Sequence, residues 1–595
     1  MIAFCNSPSA NAQGCEITVT AQPTVVNYPS NTLPSGNQTS FGETIDLNYS
    51  ATLTNSTITI EYYDRGVWEP YGIVTGNGVG YTRTFLPLEA PIVAFGNDSV
   101  RASGTGCTSN IATYTVVPDP SADLWAVAAY AGMAAAAGLF LFAGLRLSKR
   151  WLLVAATAVY LALSPFTGQR YDVYFLITSG VRLLQHVNPF DPGVPPVYPG
   201  AYKWAFPPLY VPYGSLSFLL YQAITHAPLP SVSSLTPPSW YTSMFDAWEG
   251  FVATSMPVLV ALLKLPIVAS ALAAGWLLSK MTNSASALAF WLANPLVILV
   301  GAVWGALDPI ATVLALAAVY MFQRERVYPA YLLASMGAAV KIWPALLIPL
   351  FLAMAVRKEG GRALKPLSAV LPAVLLSLII YAASGNVGSS LYTLIYARSI
   401  PTFGSAFTVN GLTWQQFLSF WNAPPIPVFL AVGVPAYLLV VAWVYYKREL
   451  DVVKWTVVSL MIVFLTYNYV NPQYFVWVLP FLILQGRRAA SAVFTVIPLA
   501  SVVLSYNIFY FVSPAILPNY YTLGASIADQ LKVLAFNQTS WLFLLLLGAI
   551  PTASYLLVLL AELTPSRFGT HLGLFLRPPK DEQGLVAEPV ERDDP

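Results

Sequence analysis

Two charged residues beside apolar runs are the strongest candidates for chemistry in this chain. Asp172 follows the apolar run 151–167 by a few residues, and Lys341 separates two short apolar runs in Ala338-Ala-Val-Lys-Ile-Trp-Pro. Because an ionisable side chain at membrane depth is costly, it is a functional candidate by default. A carboxylate at a membrane surface can take a proton from a substrate, and an ammonium can bind an anion. The alternatives are a solvated loop aspartate and a lysine whose stem extends to the surface.

Two further ionisable residues have equally open interpretations. Asp308, in Trp304-Gly-Ala-Leu-Asp-Pro, could act on a substrate, could cap a helix that begins at Pro309, or could do both. Lys264 lies inside an apolar run and is ambiguous in the same way as Lys341.

The composition shows what kind of protein must position these groups. Of the 595 residues, 56% are hydrophobic and 9% are charged, whereas soluble domains carry about 25% charged residues. Most of the chain must therefore face lipid. A net charge of only +2 argues against a nucleic-acid binder. With three Cys, three His and no HExxH or CxxC motif, the sequence argues against a zinc site.

The basic residues predict the topology through the positive-inside rule. The first apolar run, 123–145, ends at Arg146, Lys149 and Arg150, so this end should be cytoplasmic. About 13 spans place every later basic cluster inside, provided that the run 208–226 is re-entrant or interfacial. Two long outward segments result, 168–253 and 385–425. Arg398 in the second departs from the inward bias of the other basic residues, which favours an anion-binding role such as clamping a phosphate.

The first 117 residues differ from the rest and indicate an extracytoplasmic Ig-like β-sandwich. Short alternating runs recur between Gly, Pro and Asn residues, at 15–20, 43–49, 57–63, 80–85, 99–103 and 112–117. A Cys15–Cys107 disulfide is predicted, with Cys5–Cys15 as the local alternative, and either implies an oxidising compartment. Five glycosylation sequons are candidates on the outer side: Asn37, Asn48, Asn55, Asn97 and Asn537.

Several short motifs follow one another from about Tyr171 to Pro480. They are Asp172 with Asn188-Pro-Phe, Phe206-Pro-Pro-Leu, Phe290-Trp-Leu-Ala-Asn-Pro-Leu, Gly305-Ala-Leu-Asp308, Lys341-Ile-Trp-Pro-Ala-Leu-Leu-Ile-Pro, and Asn471-Pro-Gln-Tyr-Phe-Val-Trp-Val-Leu-Pro. In this order they resemble the GT-C class of membrane glycosyltransferases that use polyprenyl-phosphate sugars. Within that class the chain is similar to the GPI mannosyltransferase I family and the related prokaryotic polyprenyl-phosphate mannosyltransferases.

The resemblance implies roles for individual residues. The catalytic aspartate of the first outward loop corresponds to Asp172, which would act as general base in an inverting displacement. The eukaryotic enzymes carry an Asp-x-Asp pair here, whereas this chain has Arg170 two positions before Asp172. Cations would then stabilise the departing lipid phosphate; the candidates are Lys341, Arg398, Arg170 and Lys203. Asp308 would orient the acceptor, and Gln473 and Tyr474 would hydrogen-bond the sugar or phosphate.

Together these observations predict a polytopic α-helical membrane protein with an N-terminal extracytoplasmic Ig-like β-sandwich. The predicted parts are the sandwich 1–117, a linker 118–122, an additional first transmembrane helix 123–150, a GT-C-like core 151–565, and a cytoplasmic, disordered tail 566–595. The expected location is the plasma membrane.

The expected activity is transfer of a hexose from a polyprenyl- or dolichyl-phosphate donor. The expected acceptor is a glycolipid or lipid-linked oligosaccharide at the outer face. Mannose as the sugar comes only from the resemblance. No cofactor is predicted, with a divalent metal (Mg²⁺ or Mn²⁺) left open. The alternatives are a transporter or channel with an extracellular β-domain, and a membrane-anchored adhesion protein.

Overall fold

The computed structural model divides the chain into two compact units. One comprises Met1–Ala128 and Tyr521–Val533, and the other comprises Ala129–Tyr520 and Leu534–Pro595. The structure describes residues 17–22, 25–28, 44–64, 67–85, 96–104, 107–118, 120–186, 207–228, 257–383, 412–414, 428–447, 451–467, 470–506, 511–512 and 548–564.

The first unit contains a seven-stranded sheet. Its strands are β1 (Ile17–Gln22), β2 (Val25–Tyr28), β3 (Thr44–Asp64), β4 (Val67–Phe85), β5 (Gly96–Gly104), β6 (Cys107–Thr108) and β7 (Ala112–Pro118). The main order is β1-β3-β5-β7-β2, with β4 paired to β3 and β6 paired to β5. All pairs are antiparallel except β2 with β7.

Alternate residues of three strands build the apolar side of this sheet. Ile17 and Val19 of β1, Val100 and Ala102 of β5, and Ala112 and Tyr114 of β7 are buried, as the period of two requires. The predicted runs 43–49 and 57–63 are parts of a single strand, β3, whose pairing with β4 continues through register shifts between Ser50 and Ser56. Because the described strands join in one sheet, two separate sheets are not seen among them, and the Ig-like assignment stays a prediction.

The second unit is built from helices, the first of which, α1, begins in the first unit. They are α1 (Pro120–Gly144), α2 (Lys149–Leu163), α3 (Arg170–Leu184), α4 (Tyr210–Thr225), α5 (Pro257–Thr282), α6 (Ala285–Leu292), α7 (Pro295–Ile298), α8 (Asp308–Gln323), α9 (Val327–Val340), α10 (Leu347–Glu359), α11 (Leu371–Ala383), α12 (Val434–Lys447), α13 (Val452–Thr466), α14 (Phe475–Leu484), α15 (Arg488–Tyr506) and α16 (Ile550–Leu563). Shorter π and 3₁₀ turns cover Ser164–Phe166, Leu299–Trp304, Trp343–Leu346, Gly360–Val370, Phe429–Gly433 and Pro472–Tyr474.

Within the described residues, four helical segments are long and apolar enough to cross a membrane: Val127–Gly144, Pro257–Thr282, Trp343–Ile380 and Phe429–Lys447. Ala285–Leu292 and Pro295–Trp304, which meet at a 53° bend, make a fifth if they count as one span. Such helices are compatible with a helical membrane protein. Other apolar helices, including α8 and α9, are shorter than a straight crossing of about 20 residues requires.

A small apolar cluster joins the helices that carry the predicted site residues. It contains Val173 and Ile177 of α3, Tyr210 of α4 and Leu263 of α5, with Leu307 at the start of α8. Helix α3 begins at Arg170, where the Gln169 side chain accepts a hydrogen bond from the Asp172 amide and caps the helix. Asp172 therefore lies in the first turn of α3 rather than in a loop.

Helices α3 and α4 cross at two glycines. A Cβ atom at Gly180 would overlap the backbone of Gly214, and one at Gly214 would overlap the Leu176 carbonyl oxygen. The Ser215 hydroxyl donates to the Gly180 carbonyl at 3.1 Å. The backbones thus touch directly, and this contact fixes Asp172 on α3 relative to Tyr210 on α4.

We expect Gly214→Ala to force these two helices apart and to lower the free energy of unfolding by about 1–3 kcal/mol. Thermal unfolding of the purified protein in detergent measures the effect. Gly138→Ala is the matched control, because no heavy atom lies within 4 Å of a Cβ at that helical position. Alanine there should be neutral or slightly stabilising. A midpoint for Gly214→Ala equal to that of Gly138→Ala would contradict the backbone contact.

Candidate functional site

The site begins with the segment that leads into α3. The Gly168 amide donates to the Phe511 carbonyl at 2.6 Å, and the Gln169 amide donates to the Trp304 carbonyl at 2.8 Å. Two backbone hydrogen bonds therefore fix the chain just before Asp172. The first turn of a helix also favours a carboxylate, because the helix dipole is positive at its N-terminus.

A tryptophan orients the Asp172 carboxylate. The Trp304 indole N–H donates to Asp172 Oδ2 at 2.7 Å. The Trp304 side chain is buried, and its ring packs against Phe511 at 5.0 Å between centroids, whereas Asp172 is only partly buried. Asp172 is thus a partly accessible carboxylate that is oriented by the Trp304 indole.

Asp308 and Lys341 form an ion pair in the interior of the helical unit. The Lys341 ammonium lies 3.3 Å from Asp308 Oδ2, and the Trp477 indole N–H donates to Asp308 Oδ1 at 2.7 Å. Asp308 is fully buried and Lys341 is 8% exposed. Lys341 therefore does not extend to the surface. The helix α8 begins at Asp308 itself, and its N-cap residue, Leu307, makes no side-chain capping bond.

Local backbone geometry brings these two residues together. The π-helix Leu299–Trp304 ends at Gly305, whose φ of 84° lies in the left-handed region that glycine adopts at little cost. This reversal turns the chain into α8 and places Asp308 in its first turn. Lys341 follows α9 in extended backbone (φ −145°, ψ 136°), which interrupts the helical path before Trp343.

Aromatic rings surround the ion pair. The Lys341 ammonium lies 5.6 Å from the ring centroid of Tyr210 and 5.9 Å from that of Tyr474, distances typical of cation–π contacts. Tyr474 stacks on Trp477 at 4.0 Å, and Trp477 stacks on Trp343 at 5.6 Å. These rings exclude water from the pair, which strengthens its electrostatic interactions.

Asp172 belongs to the same electrostatic cluster. It interacts with Lys341 and with Tyr210, and Asp308 interacts with both as well. Two carboxylates and one ammonium give the cluster a formal charge of about −1. A carboxylate that can take a proton thus interacts electrostatically with a paired ammonium in an apolar, aromatic surrounding.

The structure brings together four of the residues selected from the sequence: Asp172, Asp308, Lys341 and Tyr474. Gln473 directly precedes Tyr474 in a buried 3₁₀ turn. Gln473 is 5% exposed, and its Oε1 makes no hydrogen bond to any other described residue, so this oxygen can accept one from a ligand.

The other selected residues lie partly or wholly outside the described part of the chain. The backbone of Arg170 begins α3, those of Asn48 and Asn55 lie in β3, that of Asn97 in β5 and that of Cys107 in β6, but their side chains lie outside the description. Lys203, Arg398, Asn37, Asn537, Cys5 and Cys15 lie outside the described residues altogether. The phosphate-binding roles, the glycosylation sites and the disulfide stay predictions. Across the described ranges, no group of three His, Cys, Asp or Glu side chains could hold a metal ion.

Three residues of the cluster were not selected from the sequence: Tyr210, Trp304 and Trp477. Each lies inside or next to a motif noted there, but 14% of the chain is aromatic, so an individual ring gives little signal. The two tryptophans could have been selected as hydrogen-bond partners of the carboxylates. A buried indole N–H needs an acceptor, and carboxylates are scarce in this part of the chain.

No protein-family model matches this chain, and no curated protein matches its sequence.

Proposed function

We propose that the chain is a membrane glycosyltransferase of the GT-C class. It moves a hexose, mannose by resemblance, from a polyprenyl- or dolichyl-phosphate donor to a glycolipid or lipid-linked oligosaccharide. The observation that carries this proposal is the cluster of Asp172 and the Asp308–Lys341 pair within apolar helices. A buried pair beside a second, accessible carboxylate supports chemistry on a substrate that combines a hydroxyl group, a phosphate and a lipid.

The proposed reaction is a single displacement. The acceptor hydroxyl oxygen forms a bond to the anomeric carbon, and the bond from that carbon to the phosphate oxygen breaks. The lipid phosphate leaves with the bonding electrons, and the hydroxyl proton goes to the Asp172 carboxylate. Asp172 suits this role better than Asp308 does, because it is partly exposed while Asp308 is fully buried and engaged by Lys341 and Trp477.

The donor phosphate needs more positive charge than Lys341 alone supplies. Asp308 already balances the charge of Lys341, so the pair presents an oriented ammonium rather than a net cation. The further cations proposed for the phosphate are Arg170, Lys203 and Arg398. Gln473 and Tyr474 are proposed to hydrogen-bond the sugar or the phosphate. Gln473 Oε1, which has no hydrogen-bond partner among the described residues, would accept from a sugar hydroxyl group.

The proposed function requires a defined membrane topology. About 13 spans cross the plasma membrane, the Ig-like β-sandwich lies outside, and the C-terminal tail lies in the cytoplasm. The catalytic cluster faces the outer side, where the acceptor resides. The apolar surfaces of helices such as α1 and α12, which are largely exposed in the monomer, support contact with lipid.

Membranes containing the protein, incubated with radiolabelled polyprenyl-phosphate mannose and extracted with organic solvent, test this function. We expect the label to leave the donor and appear in an acceptor lipid. A transporter is the second candidate, because ion pairs inside helical bundles also occur on transport pathways. Label that crosses sealed vesicles while still attached to the donor would favour the transporter and contradict the transferase.

Trp304→Phe should lower the transfer rate about tenfold, because it removes the indole N–H that orients Asp172 but keeps a ring against Phe511. Initial rates of label transfer by equal amounts of purified protein measure this effect. Trp276→Phe is the matched control, since that tryptophan is 52% exposed on α5. Equal rates for the two variants would contradict the orienting role of Trp304.

A further inference from the structure

Lys264 is a buried lysine in the N-terminal half of α5 that the proposed reaction does not use. Its side chain is 1% exposed. Its ammonium donates to the Thr167 carbonyl, to Thr167 Oγ1 at 3.0 Å, to the Ala302 carbonyl at 3.0 Å and to the Val303 carbonyl at 2.8 Å. All four acceptors found for it among the described residues are uncharged oxygen atoms. A buried ammonium with this many fixed acceptors joins the backbone segments that carry them.

The two segments joined by Lys264 are the ones that hold Asp172. Thr167 lies two residues before Gln169, whose side chain caps α3 by accepting from the Asp172 amide at 2.7 Å. Ala302 and Val303 directly precede Trp304, whose indole donates to the Asp172 carboxylate at 2.7 Å. One ammonium therefore connects the segment that positions the Asp172 backbone with the segment that positions its carboxylate.

The backbone around Trp304 is shaped to leave room for this lysine. Carbonyl groups at a helix C-terminus have no partner within the helix, and those of Ala302 and Val303, at the end of the π-helix, are satisfied by Lys264. The next residue is Gly305, with φ of 84°, and a Cβ atom there would lie 3.0 Å from Lys264 Cε. The glycine therefore serves both the chain reversal and the passage of the lysine stem.

We propose that Lys264 is a positioning residue for the base Asp172, acting through Thr167 and Trp304. This inference rests on the proposed transferase function and adds a residue to the same site, without contact to the substrate. A methionine at this position keeps the length of the stem but cannot hold the three carbonyl groups. The two segments would then separate slightly, and a displacement of about 1 Å at a reacting group costs about 10²-fold in rate.

The first test compares Lys264→Met with Lys280→Met in the transfer assay. Lys280 lies on the same helix and is exposed, so its loss should leave the rate unchanged. For Lys264→Met we expect kcat to fall about 10²-fold while KM for polyprenyl-phosphate mannose stays within twofold, because the lysine does not touch the donor. Thr167→Val is the milder variant in case Lys264→Met does not fold. It removes one acceptor of the ammonium and should lower kcat about tenfold or less.

The second test combines each variant with Asp172→Asn. If Lys264 and Thr167 act through Asp172, the double variants should be no slower than Asp172→Asn alone. A merely structural defect would lower the amount of active protein both in the wild type and in Asp172→Asn. The rate losses of the two substitutions would then multiply in the double variant, and that result would overturn the inference. An unchanged kcat for both single variants would overturn it too. Both of these results concern the variants and leave sugar transfer by the wild-type protein intact, so they overturn only the role of Lys264. If the wild-type protein itself transfers no sugar, the proposed function is overturned and the role of Lys264 with it.

Discussion

Replacing Asp172 with asparagine is expected to lower the rate of sugar transfer by about 10²–10⁴-fold, the usual contribution of a general base. Asparagine has nearly the same volume, and its oxygen can still accept the hydrogen bond from the Trp304 indole, so the site should keep its shape. What asparagine cannot do is take the proton of the acceptor hydroxyl. Single-turnover transfer by purified protein in liposomes measures the loss.

The matched control for this variant is Asp451→Asn. Asp451 is exposed and caps α13 by accepting from the Lys454 amide at 3.0 Å, and asparagine is an equally good cap. Its transfer rate and thermal stability should equal those of the wild type. Near-normal turnover by Asp172→Asn, beside an unchanged control, would falsify the base assignment.

The sequence identified the charged members of the site but not the arrangement that joins them. Asp172, Asp308 and Lys341 are conspicuous because charged residues are rare next to apolar runs. Their meeting point depends on how α3, α8 and α9 pack, which no local pattern encodes. Whether Asp308 caps α8 also depends on tertiary contacts, because Trp477, which is far away in the sequence, donates a hydrogen bond to Asp308 Oδ1.

Breaking the Asp308–Lys341 pair is expected to lower both stability and activity. Lys341→Met leaves a fully buried carboxylate without its cation, which typically costs about 3–5 kcal/mol in the free energy of unfolding. Adding Asp308→Asn removes the unpaired negative charge, so the double variant should regain most of the lost free energy of unfolding. Its transfer activity should stay lost, because the oriented ammonium is absent. Thermal unfolding in detergent and the transfer assay measure the two effects separately.

The exposed pair between Lys358 and Glu325 provides the control. Its side chains are 56% and 67% exposed, so Lys358→Met should change stability by at most about 1 kcal/mol. If the double variant at Asp308 and Lys341 transfers sugar at the wild-type rate, the pair has a structural role only. If Lys341→Met is as stable as Lys358→Met, the assignment of a buried ion pair between Asp308 and Lys341 is contradicted.

The fold could be predicted in outline, and the reasons for the differences are physical. The shift from polar alternating runs to long apolar runs near residue 120 separates strands from helices. The strand β3 continues through Ala51–Ser56, although its pairing with β4 changes register there and is kept at Thr54 and Ser56. A break of this kind marks the end of a strand in the sequence but only an irregularity in the folded sheet. The start of α3 is hard to predict because a glutamine cap, Gln169, is a weak helix signal in a sequence.

The number of spans depends on helices that are hard to count from hydropathy alone. The helices α8 and α9 have 16 and 14 residues and meet at Arg324–Arg326, where basic residues end one apolar run and begin the next. Both are shorter than the about 20 residues of a straight crossing. The proposed topology of about 13 spans therefore rests on the charge rule.

The anomeric configuration of the product tests the central claim most directly. Purified protein in liposomes is given polyprenyl-phosphate mannose of known configuration and an acceptor glycolipid, and the new linkage is assigned by nuclear magnetic resonance. One displacement with Asp172 as base predicts a single product whose configuration is inverted relative to the donor. A product of retained configuration would contradict direct displacement, and a donor recovered intact would contradict the transferase itself.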